Sequence, residues 1–177
     1  AMLGSLDYFN ESINGQVNIA LRGRQPGSAM KPITYAAAFE KGWYGGTIVN
    51  DEPVRFFTAD GTPYLPKNYD YRYHGPVSVR TALSNSYNIP AVKAIHFTTV
   101  DAVLQKSREM GLSTLNESAD YYGLALTLGD AEVRLLDLTN AYMIFDNGGI
   151  KKTPQDIVRI RNSKGNVLYA RGRQSGQ

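Results

Sequence analysis

The chain contains no cysteine and only two histidines, His74 and His96, among its 177 residues. The absence of cysteine excludes a thiolate nucleophile, a disulfide framework and a cysteine zinc site, and it is compatible with an oxidising compartment. The two histidines do not form a His-x-x-x-His pair, which argues against a catalytic zinc site. We therefore expect neither a metal nor a cofactor, and each histidine is interpreted as a surface or hydrogen-bonded residue.

Long apolar runs and strong charge are also missing. No run approaches the ~18 residues that a transmembrane helix needs, and the N-terminal segment lacks the charged start and apolar core of a signal peptide. Any export signal or membrane anchor would therefore lie outside this chain. The net charge of +3 is small and the basic residues are scattered along the chain, so nucleic acid is not an expected partner. A content of 42% hydrophobic and 11% aromatic residues is typical of one globular domain with a core.

Periodicity and turn residues predict a mainly helical chain with short strands. The apolar start at Ala1–Phe9 is interpreted as the remaining part of a strand, and residues 43–75, rich in Gly, Pro, Tyr and Asp, as an irregular surface segment. A hairpin is predicted near the C-terminus, with strand segments at Ile157–Arg161 and Asn166–Ala170 and a turn at Asn162–Gly165. Helices are predicted over Ile33–Lys41, Val77–Leu83, Pro90–Phe97, Val100–Met110 and Ala131–Asn147.

The most informative segment is Arg24–Tyr35, which reads RQPGSAMKPITY. It places the Ser28 hydroxyl and the Lys31 amine three residues apart at the start of an apolar helix, on the same helical face. The positive end of the helix dipole would favour an alkoxide on Ser28. This is the only Ser-x-x-Lys in the chain, and it follows a predicted strand and turn. The pattern predicts an activated serine nucleophile with a lysine base, although a bare Ser-x-x-Lys also arises by chance.

A second candidate, Ser86-Tyr87-Asn88, lies between two predicted helices, where a hydroxyl and an amide can project together into a cleft. Spacing alone favours a plainer interpretation, in which Ser86 or Asn88 caps the helix that begins near Pro90. Ser12-Ile13-Asn14 shows that Ser-x-Asn also occurs elsewhere in this chain. Both interpretations stay open on the residues alone.

Together these segments resemble the transpeptidase domain of penicillin-binding proteins, and most closely the bifunctional class A type. The boxes Ser28–Lys31 and Ser86–Asn88 have the order and residue types of that family. The surrounding segments are similar too, so the resemblance extends over nearly the whole chain. These segments are Arg24–Gly27, Pro66–Asp70, Asn88–Val92 and Leu138–Gly149.

The family's third box, Lys-Thr-Gly on a strand that lines the active site, has no accepted match here. Lys152-Thr153-Pro154 is rejected because proline provides no ladder N–H and is poorly tolerated in a central strand. We therefore expect residues 1–177 to be the N-terminal part of one transpeptidase domain. The remainder, which would carry the third box, is an expected partner and includes the option of a separate chain.

The resemblance implies an α+β fold of the penicillin-binding protein and serine β-lactamase type, incomplete in this chain. Such a fold has an antiparallel sheet flanked by helices and a helical subdomain that carries Ser86 at the cleft. It implies an extracytoplasmic location, in the periplasm or on the outer face of the bacterial cytoplasmic membrane, anchored by a segment not in this chain. A glycosyltransferase domain upstream is a further expectation.

The implied activity is that of a serine D,D-transpeptidase that cross-links peptidoglycan stem peptides and is a target of β-lactams. Ser28 would form the acyl-enzyme, and its backbone N–H would be one oxyanion-hole donor. Lys31 would be the general base, and Ser86 would relay a proton to the departing amine. Asn88 would bind the substrate's peptide carbonyl or steady Lys31, and Tyr87 would contact the substrate.

Two other classes of function share some of these features. A D,D-carboxypeptidase or a serine β-lactamase has the same first box but passes the acyl group to water; the segments Arg24–Gly27 and Asn88–Val92 favour the transpeptidase. A non-catalytic β-lactam sensor or scaffold domain is the alternative of another class. Its boxes would be expected to decay, whereas both boxes are present here.

Overall fold

The structure is a computed structural model that describes residues 2–170. Helices dominate it, and strands are short. The α-helices are α1 (Lys31–Glu40), α2 (Val79–Ser84), α3 (Asn88–Thr98), α4 (Val100–Met110), α5 (Ala119–Tyr122) and α6 (Leu135–Asp146). The strands are β1 (Gly23–Arg24), β2 (Ile48–Asp51), β3 (Phe56–Phe57), β4 (Pro63–Tyr64), β5 (Gly75–Ser78), β6 (Val133–Arg134), β7 (Arg159–Arg161) and β8 (Val167–Ala170). Short 3₁₀ helices occupy Glu11–Ile13, Ile19–Leu21, Gly27–Met30 and Leu124–Leu128.

All strand pairing in the described residues is antiparallel and two-stranded. β1 pairs with β6, β2 with β5, β3 with β4, and β7 with β8. The mixture of helices with small antiparallel pairs agrees with the predicted α+β class. Among residues 2–170 no helix is both long and apolar enough to cross a membrane.

Helix α1 lies at the centre of the packing because apolar side chains cover it on two sides. The face of α1 that carries Ile33 and Ala37, together with Met30 of the preceding turn, packs in a core formed by side chains of α3, α4, α6 and Leu124–Leu128. Its other face, with Tyr35 and Ala38, packs on a second cluster that includes side chains of β2, α2 and α3. As a result the first turn of α1 is enclosed, and Lys31 is 0% exposed.

The predicted helices all exist, and every difference of more than one residue from the prediction lies at an N-terminal end. Helix α4 has the predicted bounds and is followed by Gly111 as its C-cap, whose φ of +102° suits glycine. Helix α6 begins at Leu135 rather than Ala131, because Val133 and Arg134 pair with β1 instead. Helix α2 begins at Val79, since Gly75–Ser78 pairs with β2 before the Ser78 hydroxyl accepts from the N–H of Thr81 as an N-cap.

The predicted hairpin is confirmed, with its strands at β7 and β8. The predicted strand within Ala1–Phe9 is wrong. Residues 2–9 form no strand, because no segment of the described chain pairs with them along their length, and Leu3, Leu6 and Phe9 remain exposed. Arg171-Gly172-Arg173, which the sequence suggests is a solvated tail, lies outside the described residues.

The turn before α1 depends on a close approach between two glycines. A Cβ on Gly129, whose φ is +80°, would lie 2.2 Å from the backbone N and O of Gly27. Thr127, two residues before this glycine, donates from its hydroxyl to the buried Thr34 hydroxyl of α1 at 2.8 Å. The segment Leu124–Gly129 therefore supports the backbone that leads into α1.

We predict that Gly129→Ala lowers the free energy of unfolding by about 2–4 kcal/mol. About 1–2 kcal/mol would come from the left-handed backbone and the rest from the clash with Gly27. Gly111→Ala is the matched control: Gly111 is also in the left-handed region, at φ +102° and ψ +15°, but its Cβ would make only an ordinary contact of 3.4 Å with the flexible Lys151 side chain, so only the backbone cost applies. Urea unfolding monitored by circular dichroism gives both values, and equal losses would show that the glycine contact carries no steric constraint.

Candidate functional site

Ser28 lies in the 3₁₀ turn Gly27–Met30 that connects β1 to α1, so the predicted strand, turn and helix are present. Its side chain is exposed, whereas Lys31, the first residue of α1, is fully buried. Pro32 follows in the first turn of the helix, where a missing N–H breaks no helical bond. The sequence thus places a free hydroxyl one turn before an enclosed amine.

Three hydrogen bonds to distant segments hold the serine turn in addition to the glycine contact. The Gln25 amide donates to the Asp130 carbonyl and carboxylate at 3.2 and 3.1 Å. The Tyr142 hydroxyl of α6 donates to the carbonyl of Ala29, the neighbour of Ser28, at 2.8 Å. These contacts were not predicted, because they join residues more than 100 positions apart.

The Lys31 ammonium is bound by the second predicted box. Its Nζ donates to the Ser86 carbonyl oxygen, to Ser86 Oγ at 3.0 Å and to Asn88 Oδ1 at 2.6 Å. A lysine ammonium has three donors and no acceptor, so these three bonds use all of its protons. The structure therefore brings Lys31, Ser86 and Asn88 together across a separation of more than 50 residues.

Burial sets the protonation of this lysine. It lowers the pKa of Lys31 to about 8, because removal from water disfavours the charged form. At pH 7 about a tenth of the molecules would carry the neutral amine. Such a lysine can exchange a proton near neutral pH, as a base requires.

Ser28 is near the lysine in sequence but is not bonded to it. Among the hydrogen bonds of residues 2–170, none joins Ser28 Oγ to Lys31 Nζ. The ammonium is instead directed at Ser86 and Asn88, so the two boxes are joined through Lys31.

The Ser86 backbone is unusual. Its φ is +56°, in the left-handed region that non-glycine residues rarely adopt. Bonds from Ser86 N to Leu83 O at 3.0 Å and from Tyr87 N to Ala82 O at 2.9 Å stabilise this turn. Both the carbonyl and the hydroxyl of Ser86 thereby reach the same ammonium.

Neither Ser86 nor Asn88 caps the following helix, so the plainer sequence interpretation is wrong. Helix α3 begins at Asn88, and Tyr87 occupies its N-cap position without a side-chain bond. The Asn88 N–H is bound by the Asn68 side chain, at 2.8 Å. The Tyr87 ring stacks on His74, with centroids 3.9 Å apart.

Sequence reasoning missed a buried polar group next to this box. Asp51 is 0% and Asn68 3% exposed, and they are bonded to each other. Asn68 belongs to the family segment Pro66–Asp70, and that was its only signal. Burial first, and then the charge of Asp51, raise the pKa of the Tyr35 hydroxyl, which stays neutral as a result.

The residues described do not form a metal site, since no group of three or more His, Cys, Asp or Glu side chains converges within them. A cavity of about 660 Å³ lies elsewhere, beside β1 and β6, and none of the predicted site residues lines it. The chemistry of the Ser28 region, with a lysine, two hydroxyls and an amide, identifies the candidate site better than the size of this cavity does.

Comparison with known proteins agrees with this geometry. The family model of the penicillin binding protein transpeptidase domain matches residues 7–174. Penicillin-binding protein 1A of Aquifex aeolicus is 35% identical over 169 residues, which cover 95% of this chain and 22% of the relative. That of Rickettsia felis is 34% identical over 97% of this chain and 21% of the relative. The chain thus spans about a fifth of the length of these curated relatives.

Solved structures give the same result. The crystal structure of penicillin-binding protein 1A from Haemophilus influenzae matches 89% of this chain and 23% of its own, with a TM-score of 0.78 and 33% identity. PonA1 from Mycobacterium tuberculosis, at 24% identity and a TM-score of 0.75, supports the fold alone. The fold, the two boxes joined through Lys31 and these matches lead to one conclusion: the chain belongs to the penicillin-binding protein transpeptidase family.

Proposed function

We propose that the chain is the N-terminal part of a serine D,D-transpeptidase domain that cross-links peptidoglycan stem peptides and is acylated by β-lactams. The observation that supports this most directly is the buried Lys31 ammonium, bonded to Ser86 Oγ and Asn88 Oδ1, one turn after the exposed Ser28. This is the arrangement of a nucleophile with a desolvated base and a second hydroxyl for proton relay.

The first chemical step requires a neutral Lys31. As an ammonium it donates three protons to Ser86 and Asn88; as a neutral amine it keeps two protons and gains a lone pair. One acceptor is then released, and the lone pair can accept the Ser28 proton. Burial makes this change accessible near neutral pH, since the pKa of Lys31 is lowered to about 8.

Ser28 Oγ then attacks the carbonyl carbon between the two terminal D-alanines. Its proton passes to Lys31, and the carbonyl becomes an oxyanion that the Ser28 backbone N–H stabilises. When the C–N bond breaks, Lys31 returns a proton through the Ser86 hydroxyl to the departing amine, and free D-alanine leaves. An amine from a neighbouring stem peptide then attacks the ester carbonyl and forms the amide cross-link. As the ester C–O bond breaks, the proton that the amine loses passes through Ser86 and Lys31 to Ser28 Oγ.

The second oxyanion donor belongs, in this proposal, to the strand of the Lys-Thr-Gly box. The remainder of the domain is therefore the principal partner, with stem peptides and β-lactams as ligands. Because peptidoglycan is assembled outside the cytoplasm, we propose an extracytoplasmic location, with an anchor and a glycosyltransferase domain supplied by other segments. The rival enzymes differ in the acceptor: a carboxypeptidase or β-lactamase would pass the acyl group to water.

Labelling by a fluorescent penicillin tests the nucleophile. The assay uses the complemented domain, by which we mean this chain together with a transpeptidase segment carrying Lys-Thr-Gly from a penicillin-binding protein 1A relative. We expect one label per chain on Ser28, located by peptide mass spectrometry. Ser28→Ala should abolish it, because no other hydroxyl lies one turn before Lys31.

Ser12→Ala is the control for that experiment, since Ser12 is exposed and also begins a Ser-x-Asn sequence. It should label like the unsubstituted protein. Absence of any Ser28 adduct in the complemented domain would favour the scaffold alternative. Rapid turnover of a chromogenic β-lactam would favour a β-lactamase.

The pH profile tests the base. The second-order rate of acylation should rise with pH and level off above about 8, because the reactive form is neutral and burial lowers the pKa of Lys31 to that value. Lys31→Arg keeps the charge but cannot be deprotonated, so acylation should fall about 10²- to 10⁴-fold. Lys41→Arg, at the other end of α1, is the control and should keep the wild-type rate and profile. A flat profile from pH 6 to 9 would exclude Lys31 as the base.

The oxyanion hole generates a prediction for the 177-residue chain by itself. Loss of one donor costs about 10²- to 10³-fold in rate, so this chain should label at least that much more slowly than the complemented domain. Stopped-flow or gel-based labelling measures both rates. Rapid stoichiometric labelling of the chain alone would contradict the proposed role of the third box.

A further inference from the structure

A buried carboxylate lies behind the Ser86–Asn88 box, although the proposed reaction gives it no part. Asp51, at the end of β2, is 0% exposed. It accepts from both the backbone N–H and ring Nδ1 of His74, at 3.1 and 2.6 Å, and from Asn68 Nδ2, which lies 2.9 and 2.7 Å from its two oxygens. A buried charge is tolerated only with such partners, so Asp51 dictates how Asn68 and His74 are oriented.

Asn68 transmits this orientation to α3. Its Nδ2 donates to Asp51 and to the Arg72 carbonyl at 2.8 Å, which uses both amide protons. Its Oδ1 is thereby turned toward α3, where it accepts from the N–H groups of Asn88 and Ile89 at 2.8 and 3.3 Å. Tyr87 provides no side-chain cap, so Asn68 caps this helix from another segment.

Lys67, the residue before Asn68, fixes the orientation of the Asn88 side chain. Asn88 Nδ2 donates to the Lys67 carbonyl at 2.8 Å. Because the amide nitrogen is held there, its oxygen must face the other way, toward Lys31 Nζ at 2.6 Å. Lys67 and Asn68 together determine both the backbone and the side-chain direction of Asn88.

His74 contacts Tyr87, the middle residue of the Ser86–Asn88 box. Its Nδ1 is 2.6 Å from Asp51 Oδ2 and its Nε2 is 3.1 Å from Asp70 Oδ2, so both ring nitrogens face carboxylates. The ring so held stacks on Tyr87 at 3.9 Å with an interplanar angle of 13°. Tyr87 connects Ser86 to Asn88, the two residues that bind Lys31.

We propose that Asp51, Asn68 and His74 are positioning residues, which hold the Ser86–Asn88 box in the geometry that binds Lys31 and thereby set the reactivity of Ser28. The inference rests on the proposed function for its kinetic consequence, but its structural consequence is independent of it. Tyr87 accordingly acts through its stacking on His74, in addition to any substrate contact. None of the three positioning residues touches Ser28 or Lys31 through a hydrogen bond in the described chain.

The main test replaces Asn68 by leucine, which keeps about the same volume and removes every hydrogen bond. Thr98→Val is the matched control, because Thr98 is a buried polar residue like Asn68 but lies at the far end of α3 from the box. Its hydroxyl bonds to carbonyls of its own segment. Both substitutions should lower the melting temperature. Only Asn68→Leu should slow acylation of the complemented domain, by about 10- to 100-fold at a temperature where both variants are folded.

A second readout does not depend on acylation. In the 177-residue chain labelled with ¹³C-lysine, the Cε signal of Lys31 reports its titration by NMR. Asn68→Leu should move the pKa of Lys31 upward from about 8, because water reaches the amine once Asn88 is released. Thr98→Val should leave it in place. If Asn68→Leu does not fold, Asp51→Asn replaces it, with the same expectations.

Exchanging the side chains of Asp51 and Asn68 provides a rescue experiment. Asn68→Asp alone places two carboxylates together and should be the more damaging single change. The double variant Asp51→Asn/Asn68→Asp restores an amide-to-carboxylate bond and retains an acceptor for the N–H groups of Asn88 and Ile89. It should recover most of the acylation rate and of the Lys31 titration, with a residual loss because the Arg72 carbonyl is left without its donor.

The possible results separate the two proposals. If Asn68→Leu and Thr98→Val behave alike in rate and titration, Asp51 and Asn68 serve stability alone and the inference is wrong. If the unsubstituted complemented domain forms no Ser28 adduct, the proposed function fails, and the Lys31 titration by itself decides the positioning role.

Discussion

Burial of the Lys31 ammonium is the constraint on which the rest of the site depends. An amine that is fully removed from water must find an acceptor for each proton, and here Ser86 supplies two and Asn88 one. This requirement joins the start of α1 to the start of α3. It also lowers the pKa of the lysine to about 8, so the same burial that organises the site makes the amine a usable base.

The acceptors are costly to hold in place, and the surrounding structure provides what they need. Ser86 adopts a left-handed backbone that is unfavourable for a serine. Asn88 must direct its oxygen, and not its nitrogen, at Lys31, which its bond to the Lys67 carbonyl ensures. Behind both lies Asp51, whose own burial demands the donors of Asn68 and His74. The two buried charges, Lys31 and Asp51, are thus linked through the Ser86–Asn88 box, and both find all their hydrogen-bond partners only when that box is correctly placed.

The nucleophile is controlled differently. Ser28 is exposed and makes no bond to Lys31 in the described chain, so its position depends on the turn that carries it. That turn is held by the Gly129 contact, by Gln25 on Asp130 and by Tyr142 on the Ala29 carbonyl. A reactive hydroxyl open to substrate, on a backbone fixed from outside, suits a residue that must form and break an ester.

The sequence by itself determined five of the six α-helices in the described residues, the hairpin, the α+β class and the family, because these follow from periodicity, turn residues and motifs within short windows. Its two boxes also identified Ser28, Lys31, Ser86 and Asn88 as candidates. It placed the starts of α2 and α6 too early, since the pairings of β5 with β2 and of β6 with β1 involve partners distant in the chain. Only the tertiary structure decided that Asn88 faces Lys31 instead of capping α3, and that Asp51, Asn68 and His74 stand behind it. Those facts depend on burial, and burial is decided by which distant segments pack together.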